Sequence, residues 1–290
     1  MAKASAKEVR SFALPAYITA PMAVLRRLAP YLAFRFSLYL FFKPLAFPVP
    51  ERELPFCRKA KKHLLKAQEL PFTVWEWAPH SETEVRGNVV FIHGWSGRGS
   101  QGFKIAEMAH GQGYRFLAID APGHGNSPGK KGNLLHFVEA LKSVGQKWGA
   151  VQLTVGHSLG GMAIMNALHE GYLTDKVAVM GSPANVPNVI GDFCERVKAG
   201  PKIAERIMQY LEKNYQRQLK EVSTDYLAHR YNPQGVIVHD ESDRDVPYLN
   251  ATQLHSAWPS GKLITTQGLG HRRILMDKAV LETLDSLLEN

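Results

Sequence analysis

A glycine-flanked serine is the part of this sequence whose residue types and spacing point most directly to chemistry. Residues 156–161 read Gly-His-Ser-Leu-Gly-Gly, and the apolar, β-branched run 151–155 precedes them. A G-x-S-x-G pentapeptide between a strand and a helix predicts a sharp turn that lifts the serine hydroxyl out of the sheet. N–H groups at the start of the following helix can stabilise an anion at the same place. The pattern therefore predicts that Ser158 is a nucleophile in acyl transfer.

A serine hydroxyl is nearly unreactive at neutral pH, so Ser158 needs a base, and the base needs an acid to orient it. His271 lies in the glycine-rich segment 268–271 after a predicted strand, whereas His255 lies inside a predicted helix and is the weaker candidate. His157 adjoins the serine, but its side chain should point away from the reaction and pack beside the turn. Three aspartates in the segment 240–245 are candidates for the acid.

Composition limits the class of protein that could carry this chemistry. The 290 residues are 45% hydrophobic, which suffices for one large α/β domain with additions or for two small domains. The two cysteines are far apart, so we expect free thiols, a reducing compartment and a cytoplasmic location. The sequence holds no P-loop, G-x-G-x-x-G, H-E-x-x-H or cysteine cluster, so we expect neither a cofactor nor a metal.

The net charge of +9 is confined to one end of the chain. Residues 1–66 contain 13 Lys and Arg against three acidic residues, whereas the remaining 224 residues contain 22 against 23. The main part of the chain is therefore close to neutral. This distribution argues against a nucleic-acid groove on the main domain.

The sequence predicts a basic, aromatic and helical N-terminal extension over residues 1–70. Its longest uncharged run, 11–25, holds 15 residues and two prolines, which is too short for a membrane-spanning helix. Two interpretations stay open. The extension lies on an anionic membrane surface, such as the inner face of the membrane, or it packs against the main domain or a dimer partner. Residues 51–69 look like a basic surface helix.

From residue 71 to 290 the sequence predicts one α/β domain. Predicted strands and helices alternate, which implies a mostly parallel sheet with helices on both of its faces. The segment at about 183–233 interrupts the alternation with three short helices and no strand candidate. We expect this insertion to form a helical lid over the strand ends, or simply a packing layer.

The main domain resembles the α/β-hydrolase superfamily, and specifically its serine esterase- and lipase-like members. The resemblance rests on four motifs in the family's order: His93-Gly94-Trp95, the run from Asp120 to Ser127, the serine turn, and an acid and histidine near the C-terminus. It implies an α/β-hydrolase fold with a Ser-His-Asp triad, a nucleophile elbow and an oxyanion hole.

The resemblance also assigns roles to individual residues. The family's histidine position corresponds to His271. An aspartate three residues before Val-Pro selects Asp243 as the acid, with Asp245 as the second candidate. The backbone N–H groups of Leu159 and Trp95 would form the oxyanion hole. Asp120 would stabilise its own turn, and His124 either lines the site or holds that turn.

Several activities are compatible with this constellation. The leading prediction is hydrolysis of carboxylic esters through an acyl-enzyme, on a small-molecule ester with an apolar acyl chain. Thioester hydrolysis, C–C bond hydrolysis and cofactor-free perhydrolysis with the same triad are alternatives. A membrane-surface scaffold without turnover is the alternative outside the enzymes. The fold alone does not choose among these.

Overall fold

The computed structural model describes residues 16–79 and 85–289, so the first 15 residues of the predicted extension lie outside the described part. The strands are β1 (Lys61–Ala67), β2 (Leu70–Trp77), β3 (Asn88–Ile92), β4 (Arg115–Asp120), β5 (Val151–His157), β6 (Lys176–Met180), β7 (Gly235–Asp240) and β8 (Gly261–Thr266). The helices are α1 (Ala16–Leu28), α2 (Pro30–Phe41), α3 (Leu54–Lys59), α4 (Phe103–Gly111), α5 (Leu134–Trp148), α6 (Leu159–His169), α7 (Val186–Arg196), α8 (Pro201–Tyr215), α9 (Thr224–Tyr231), α10 (Leu249–Ala257), α11 (Gly270–Arg273) and α12 (Lys278–Glu289).

The strands form a single sheet in the order β1-β2-β4-β3-β5-β6-β7-β8. Strands β3 to β8 run parallel, whereas β2 pairs antiparallel with both β1 and β4. The predicted α/β-hydrolase fold, with a mostly parallel sheet flanked by helices, is confirmed. The chain order reverses between β3 and β5. In sheets of this kind the crevice beyond the carboxyl ends of the strands, next to such a reversal, is where ligands bind.

The sheet separates two hydrophobic cores. Val90 and Ile92 of β3 face one core, and Val89 and Phe91 face the other, so alternate residues of the same buried strand serve both. A strand that is apolar on both faces must be covered on both sides, because each face buries its own set of side chains. This burial fixes β3 and β5 at the centre and thereby fixes the positions of their carboxyl ends.

The basic helix predicted over residues 51–69 is wrong beyond Lys59. Residues 61–67 form β1, which pairs antiparallel with β2 from Lys61 opposite Glu76 to Ala67 opposite Leu70. Partly or fully buried residues alternate with exposed ones from His63 to Ala67, as expected for an edge strand with one solvated face. The sheet therefore begins inside the segment that was assigned to the extension.

The C-terminal segment forms a short turn of helix at Ile274–Met276 and then the separate helix α12. The side chain of Asp277 accepts hydrogen bonds from the backbone N–H groups of Ala279 and Val280, at 3.1 and 3.2 Å. An aspartate in this position caps a new helix, so α12 starts at Lys278 and the preceding turn is separate.

The described part of the extension packs against the insertion. Helices α1 and α2 form a hairpin, and α2 lies on α8, which together with α7 and α9 forms the predicted helical insertion. The apolar side chains that join hairpin and insertion are Met22, Ala33, Phe34, Ile190, Cys194, Val197, Ala199, Ile203, Ala204, Ile207, Leu211 and Leu219. We call α1, α2, α7 and α8 the hairpin–lid layer. No helix in the described part of the chain has the length and apolar character needed to cross a bilayer.

Candidate active site

Ser158 lies on a strained turn between β5 and α6. Its backbone has φ 53° and ψ −119°, a conformation that residues other than glycine rarely adopt. The backbone N–H of Ser158 donates to the carbonyl of Met180 at 2.9 Å, and its own carbonyl accepts from the Ser182 hydroxyl at 3.0 Å. The turn is therefore held by the neighbouring strand end, and this support maintains the strain.

The glycines on either side of Ser158 are required by close packing. A Cβ on Gly160 would come within 2.3 Å of the carbonyl oxygen of Ile92, and a Cβ on Gly156 within 2.6 Å of the backbone of Gly160. Helix α6 can therefore start directly against the end of β3 only because these positions have no side chain. The same close approach brings the loop after β3 next to Ser158, since a Cβ on Gly94 would lie 2.6 Å from the Cβ of Ser158.

His271 and Asp243 are hydrogen bonded at the same edge of the sheet. The distance from His271 Nδ1 to Asp243 Oδ2 is 2.7 Å, and the carboxylate is buried. The other carboxylate oxygen accepts the N–H groups of Asp245 and Val246, at 2.8 and 2.9 Å. Burial raises the pKa of Asp243, but the His271 contact and these N–H groups outweigh it and bring the pKa below its ordinary value. Asp243 is therefore an anion at neutral pH.

Two further histidines hold the two segments that carry His271 and Asp243, which follow β8 and β7. His157 Nε2 lies 2.7 Å from the carbonyl oxygen of His271, and the two rings are 4.5 Å apart. His239 Nε2 lies 2.9 Å from the carbonyl oxygen of Val246 and 3.6 Å from Asp243 Oδ2. Burial and the charge of His271 lower the pKa of His157 to about 3, so its ring is neutral and donates to the carbonyl.

The loop after β3 is fixed by the ring of His93. His93 Nδ1 lies 2.6 Å from the carbonyl oxygen of Gly94, and Nε2 accepts the N–H of Ala121 at 3.1 Å. Because Nε2 accepts, the proton lies on Nδ1. Burial lowers the pKa of His93 to about 4, which keeps the ring neutral. Gly97 also donates to Gly94 at 3.0 Å, so the turn containing Trp95 is held from both sides.

Asp120 joins that loop to the next motif, as its predicted role in its own turn requires. Its carboxylate accepts the N–H of Gly99 at 2.5 Å, the indole N–H of Trp75 at 2.9 Å and the N–H of Asn126 at 2.8 Å. His124 contributes to the same turn, since its Nδ1 lies 3.1 Å from the carbonyl oxygen of Pro122. Asp120 is thus a structural carboxylate.

An ion pair joins Glu53, which precedes β1, to the loop after β3. The guanidinium of Arg98 donates to both carboxylate oxygens of Glu53, at 2.7 and 2.9 Å, and the Ser100 hydroxyl donates to the same carboxylate at 2.7 Å. Bidentate pairs of this kind are geometrically specific. Sequence reasoning missed this contact, because its partners are 45 residues apart and form no local pattern.

The remaining candidates from the sequence lie elsewhere or have other partners. His255 is exposed on α10 and its Nδ1 lies 3.0 Å from the carbonyl oxygen of Gly261. The carboxylate of Asp245 lies 3.5 Å from the guanidinium of Arg196 on α7.

Sequence reasoning also missed Gly181. This residue has φ 58°, and a Cβ there would lie 3.2 Å from His271 Nδ1. Its signal was a glycine directly after β6.

One cavity of about 400 Å³ brings the candidates together. Ser158, His271, Trp95 and Leu159 all line it. Its apolar wall comes from the extension, the insertion and the main domain, through Leu40, Phe41, Phe42, Leu134, Met162, Val186, Val189, Phe193, Leu211, Leu219 and Val222. Within the described residues, no group of three His, Cys, Asp or Glu side chains is arranged to hold a metal ion.

Comparison with known proteins agrees with the fold and the motif order. Residues 89–216 match the model of an alpha/beta hydrolase family. The putative esterase/lipase 1 of Mycoplasma pneumoniae is 26% identical over 219 residues, which cover 70% of this chain and 80% of that protein.

Two solved structures are similar at 18% identity, which shows a shared fold. Est1E from Butyrivibrio proteoclasticus, solved with ferulic acid, has a TM-score of 0.63 over 79% of this chain and all of its own. The thioesterase domain from the curacin biosynthetic pathway has a TM-score of 0.58 over 80% of this chain and 99% of its own.

The sheet order, the serine turn and the histidine–aspartate pair define an α/β-hydrolase fold with a preorganised polar cluster at the carboxyl edge of the sheet. In fold and motif order the chain is similar to α/β hydrolases, and among them to esterase- and lipase-like proteins. These similarities support hydrolase activity.

Proposed function

We propose that the protein is a serine hydrolase that cleaves carboxylic esters through an acyl-enzyme, with Ser158, His271 and Asp243 as its triad. The observation that carries this proposal is the strained turn of Ser158 in the same cavity as the 2.7 Å His271–Asp243 pair. The Met180 carbonyl and the Ser182 hydroxyl hold the serine turn, and the N–H groups of Asp245 and Val246 hold the Asp243 carboxylate.

The proposed mechanism follows from the state of each group. Asp243 is an anion that accepts a hydrogen bond from the Nδ1–H of His271. The Nε2 of His271 is then unprotonated and takes the hydroxyl proton of Ser158 as the serine oxygen attacks the ester carbonyl. The same proton then goes to the departing alcohol. Water, activated in turn by His271, attacks the acyl-enzyme and releases the acid.

Two backbone N–H groups are proposed to stabilise the tetrahedral oxyanion. Leu159 is the first residue of α6, so its N–H has no partner within the helix and lies at the positive end of the helix dipole. Trp95 follows Gly94 in the turn that His93 holds. Loss of one such donor typically lowers kcat by about 10²–10³-fold.

The substrate is proposed to carry an apolar acyl chain. Phe41, Phe193 and Leu211 lie in the cavity wall, and burial of a methylene group against such side chains contributes about 0.8 kcal/mol. A chain of several methylene groups would therefore bind more tightly than an acetyl group, up to the length that the cavity accepts.

The test combines active-site labelling with a series of p-nitrophenyl esters from acetate to palmitate. We expect a fluorophosphonate to label the wild type and Ser256→Ala, an exposed serine on α10, but not Ser158→Ala. The Ser158→Ala rate should be at least ~10⁴-fold lower. Equal rates for wild type and Ser158→Ala would overturn the assignment of the nucleophile. A wild type that neither turns over nor labels would favour the scaffold alternative.

Thioester hydrolysis is the second candidate, favoured by the similarity to a thioesterase domain. Both reactions would use the same triad and oxyanion hole. Oxygen esters and thioesters with matched acyl groups distinguish them, because the acyl pocket is then constant. A kcat/KM at least ~10-fold higher for the thioesters would replace the ester proposal.

The proposed location is cytoplasmic. In support, both cysteines are free: Cys57 is half-buried and Cys194 is buried. Free thiols are the rule where the compartment is reducing.

A further inference from the structure

The outer face of the α1–α2 hairpin is apolar and uncovered. Leu28 is 80% exposed, Val24 57%, Leu32 55% and Tyr31 54%. Along α2 the exposed residues Leu32, Phe36 and Tyr39 recur every three or four positions, which places them on one side of the helix. The face continues into the exposed side chains of Leu45 and Phe47. We call Val24, Leu28, Tyr31, Leu32, Phe36, Tyr39, Leu45 and Phe47 the outer hairpin face.

This exposure is concentrated in one segment. Eight of the 15 large exposed hydrophobic residues in the described part of the chain fall between positions 24 and 47. The opposite side of the hairpin already has its packing partner, since Met22, Ala33 and Phe34 are buried against the insertion. The outer hairpin face is therefore on the other side of the hairpin from this packing, with one link to the insertion, the guanidinium of Arg206 5.5 Å from the Tyr31 ring. A contiguous exposed apolar surface with a polar rim marks an interaction site.

The charged residues within the hairpin segment have a single sign. Residues 9–50 contain no Asp or Glu, and Arg27, Arg35 and Lys43 are exposed between the apolar side chains. A surface helix with leucine and aromatic residues on one side and flanking Lys and Arg matches an anionic lipid interface. Tyrosines at positions 31 and 39 fit the interfacial zone, where an apolar ring meets a polar tip. An isologous dimer would bring two of these basic faces together, and their like charges would repel each other.

The hairpin also reaches the candidate active site. Lys43 and Leu45 are exposed and yet line the cavity, so the rim of the cavity adjoins the outer hairpin face. The backbone N–H of Leu45 donates to the Ser96 hydroxyl at 2.9 Å, next to the Trp95 that we propose as an oxyanion donor. A lipid surface that bound the outer face would therefore lie beside the entrance to the acyl pocket.

We propose that the outer hairpin face docks the protein onto an anionic lipid bilayer, with the cavity rim at residues 43–45 turned toward the lipid. The acyl chain of a membrane lipid would then reach the cavity without crossing bulk water. Docking is independent of the chemistry, whereas the delivery of substrate rests on the proposed ester hydrolysis.

The test is flotation of the full chain with vesicles of phosphatidylcholine alone and of phosphatidylcholine mixed with phosphatidylglycerol. We expect binding to the mixed vesicles that weakens as salt is raised, because the Lys and Arg contribution is screened. The double variant Leu28→Ser/Leu32→Ser should lower the partition coefficient at least ~10-fold. Leu173→Ser is the matched control, since Leu173 is also 80% exposed but lies outside the hairpin, and it should bind like the wild type.

A second pair of variants separates the electrostatic contribution. Arg27→Gln/Arg35→Gln should weaken binding and flatten its salt dependence, whereas Lys262→Gln/Lys278→Gln, with the same change in net charge, should not. The proposal would be overturned if the wild type stayed in the unbound fraction. It would also be overturned if Leu28→Ser/Leu32→Ser bound the vesicles as well as the control Leu173→Ser. A change of sedimentation coefficient in Leu28→Ser/Leu32→Ser, without vesicle binding by the wild type, would instead assign the face to a second copy of this chain.

Hydrolysis of p-nitrophenyl acetate keeps docking and catalysis distinguishable. The leucine variant should cleave this soluble ester at the wild-type rate while losing vesicle binding. An inactive protein that still binds the mixed vesicles would contradict the proposed function alone. An active protein that fails to bind would contradict the docking proposal alone.

Discussion

The carboxyl edge of the sheet and the hairpin–lid layer are stabilised by different kinds of contact. At the sheet edge, polar groups are held by specific hydrogen bonds, such as those of His93 with Gly94 and of His271 with Asp243. In the hairpin–lid layer, apolar side chains pack through ring contacts such as Phe41 with Phe193, whose centroids are 5.2 Å apart. Hydrogen bonds and close backbone approaches specify positions to within a few tenths of an ångström, whereas apolar packing specifies volume. The first region is therefore suited to fixing reacting groups, and the second to shaping a pocket.

The largest effect is expected when one carboxylate oxygen of Asp243 is replaced at the sheet edge. Asp243→Asn keeps the shape of the side chain but removes the charge that orients and stabilises His271, so kcat should fall by about 10³–10⁴-fold. Asp245→Asn is the control, because the Asp245 carboxylate contacts Arg196 on α7, and its kcat should fall less than ~10-fold. Steady-state kinetics on p-nitrophenyl esters measure both, with thermal unfolding to show that each variant is folded. The reverse order of effects would make Asp245 the acid.

Acid should destabilise the sheet edge and leave the hairpin–lid layer unaffected at first. Burial lowers the pKa of His93 to about 4 and those of His124 and His157 to about 3, from an ordinary value of 6.5. The unfolded chain therefore binds more protons than the folded one in this interval. The stabilisation from the neutral rings is complete above about pH 6.5 and is lost as the pH falls toward 4 and then 3. Each pKa unit corresponds to about 1.4 kcal/mol, so a loss of several kcal/mol is expected.

Hydrogen exchange against pH, together with urea unfolding, measures this difference between the regions. The segments 16–41 and 186–215 contain no histidine, so nothing of this kind titrates there. Protection should fall first in the segments 93–99 and 157–161. Earlier loss in α7 or α8 would contradict the assignment of the acid sensitivity to the buried rings.

The candidate catalytic residues could be predicted from the sequence better than the residues that line the cavity around them. Ser158, Asp243 and His271 each follow a strand of a parallel sheet, and parallel strands end at one edge, so short motifs suffice to place them near each other. The alternation of strands and helices from residue 88 onward was also predictable, because each element carries its own apolar periodicity.

The features that were not predictable depend on partners far away in the chain. The strand 61–67 is rich in lysine and became a strand only because β2 offers it an edge. The Glu53–Arg98 pair and the packing of Phe34 on the insertion likewise have no local signature. Tertiary contacts decided these elements, and a propensity-based prediction has no access to them.

Adding one methyl group in each region tests how differently the two regions tolerate extra volume. Gly160→Ala should destabilise the fold by about 3 kcal/mol, because the new Cβ would lie 2.3 Å from the carbonyl oxygen of Ile92 and backbone has to move. Gly191→Ala, in helix α7 of the hairpin–lid layer, is the matched control. Nothing lies within 4 Å of a Cβ there, and alanine is the better helix former. Urea unfolding should show the first variant destabilised and the second unchanged or more stable.

The smallest expected effect concerns the pocket wall. Phe193→Ala removes a ring that lines the cavity and packs on Phe41 of the extension, so it enlarges the acyl pocket without touching a polar contact of the site. The kcat for p-nitrophenyl acetate should stay within ~3-fold of the wild type. The acyl-chain length of maximal kcat/KM should shift upward, since one methylene group in an apolar pocket is worth about 10-fold or more in selectivity. Phe47→Ala, on the outer hairpin face, is the control and should leave the chain-length profile unchanged. If Phe193→Ala instead lowers kcat/KM equally for all esters, then α7 also positions the reacting groups. The division between a sheet edge that fixes the reacting groups and a hairpin–lid layer that shapes the pocket would then be wrong.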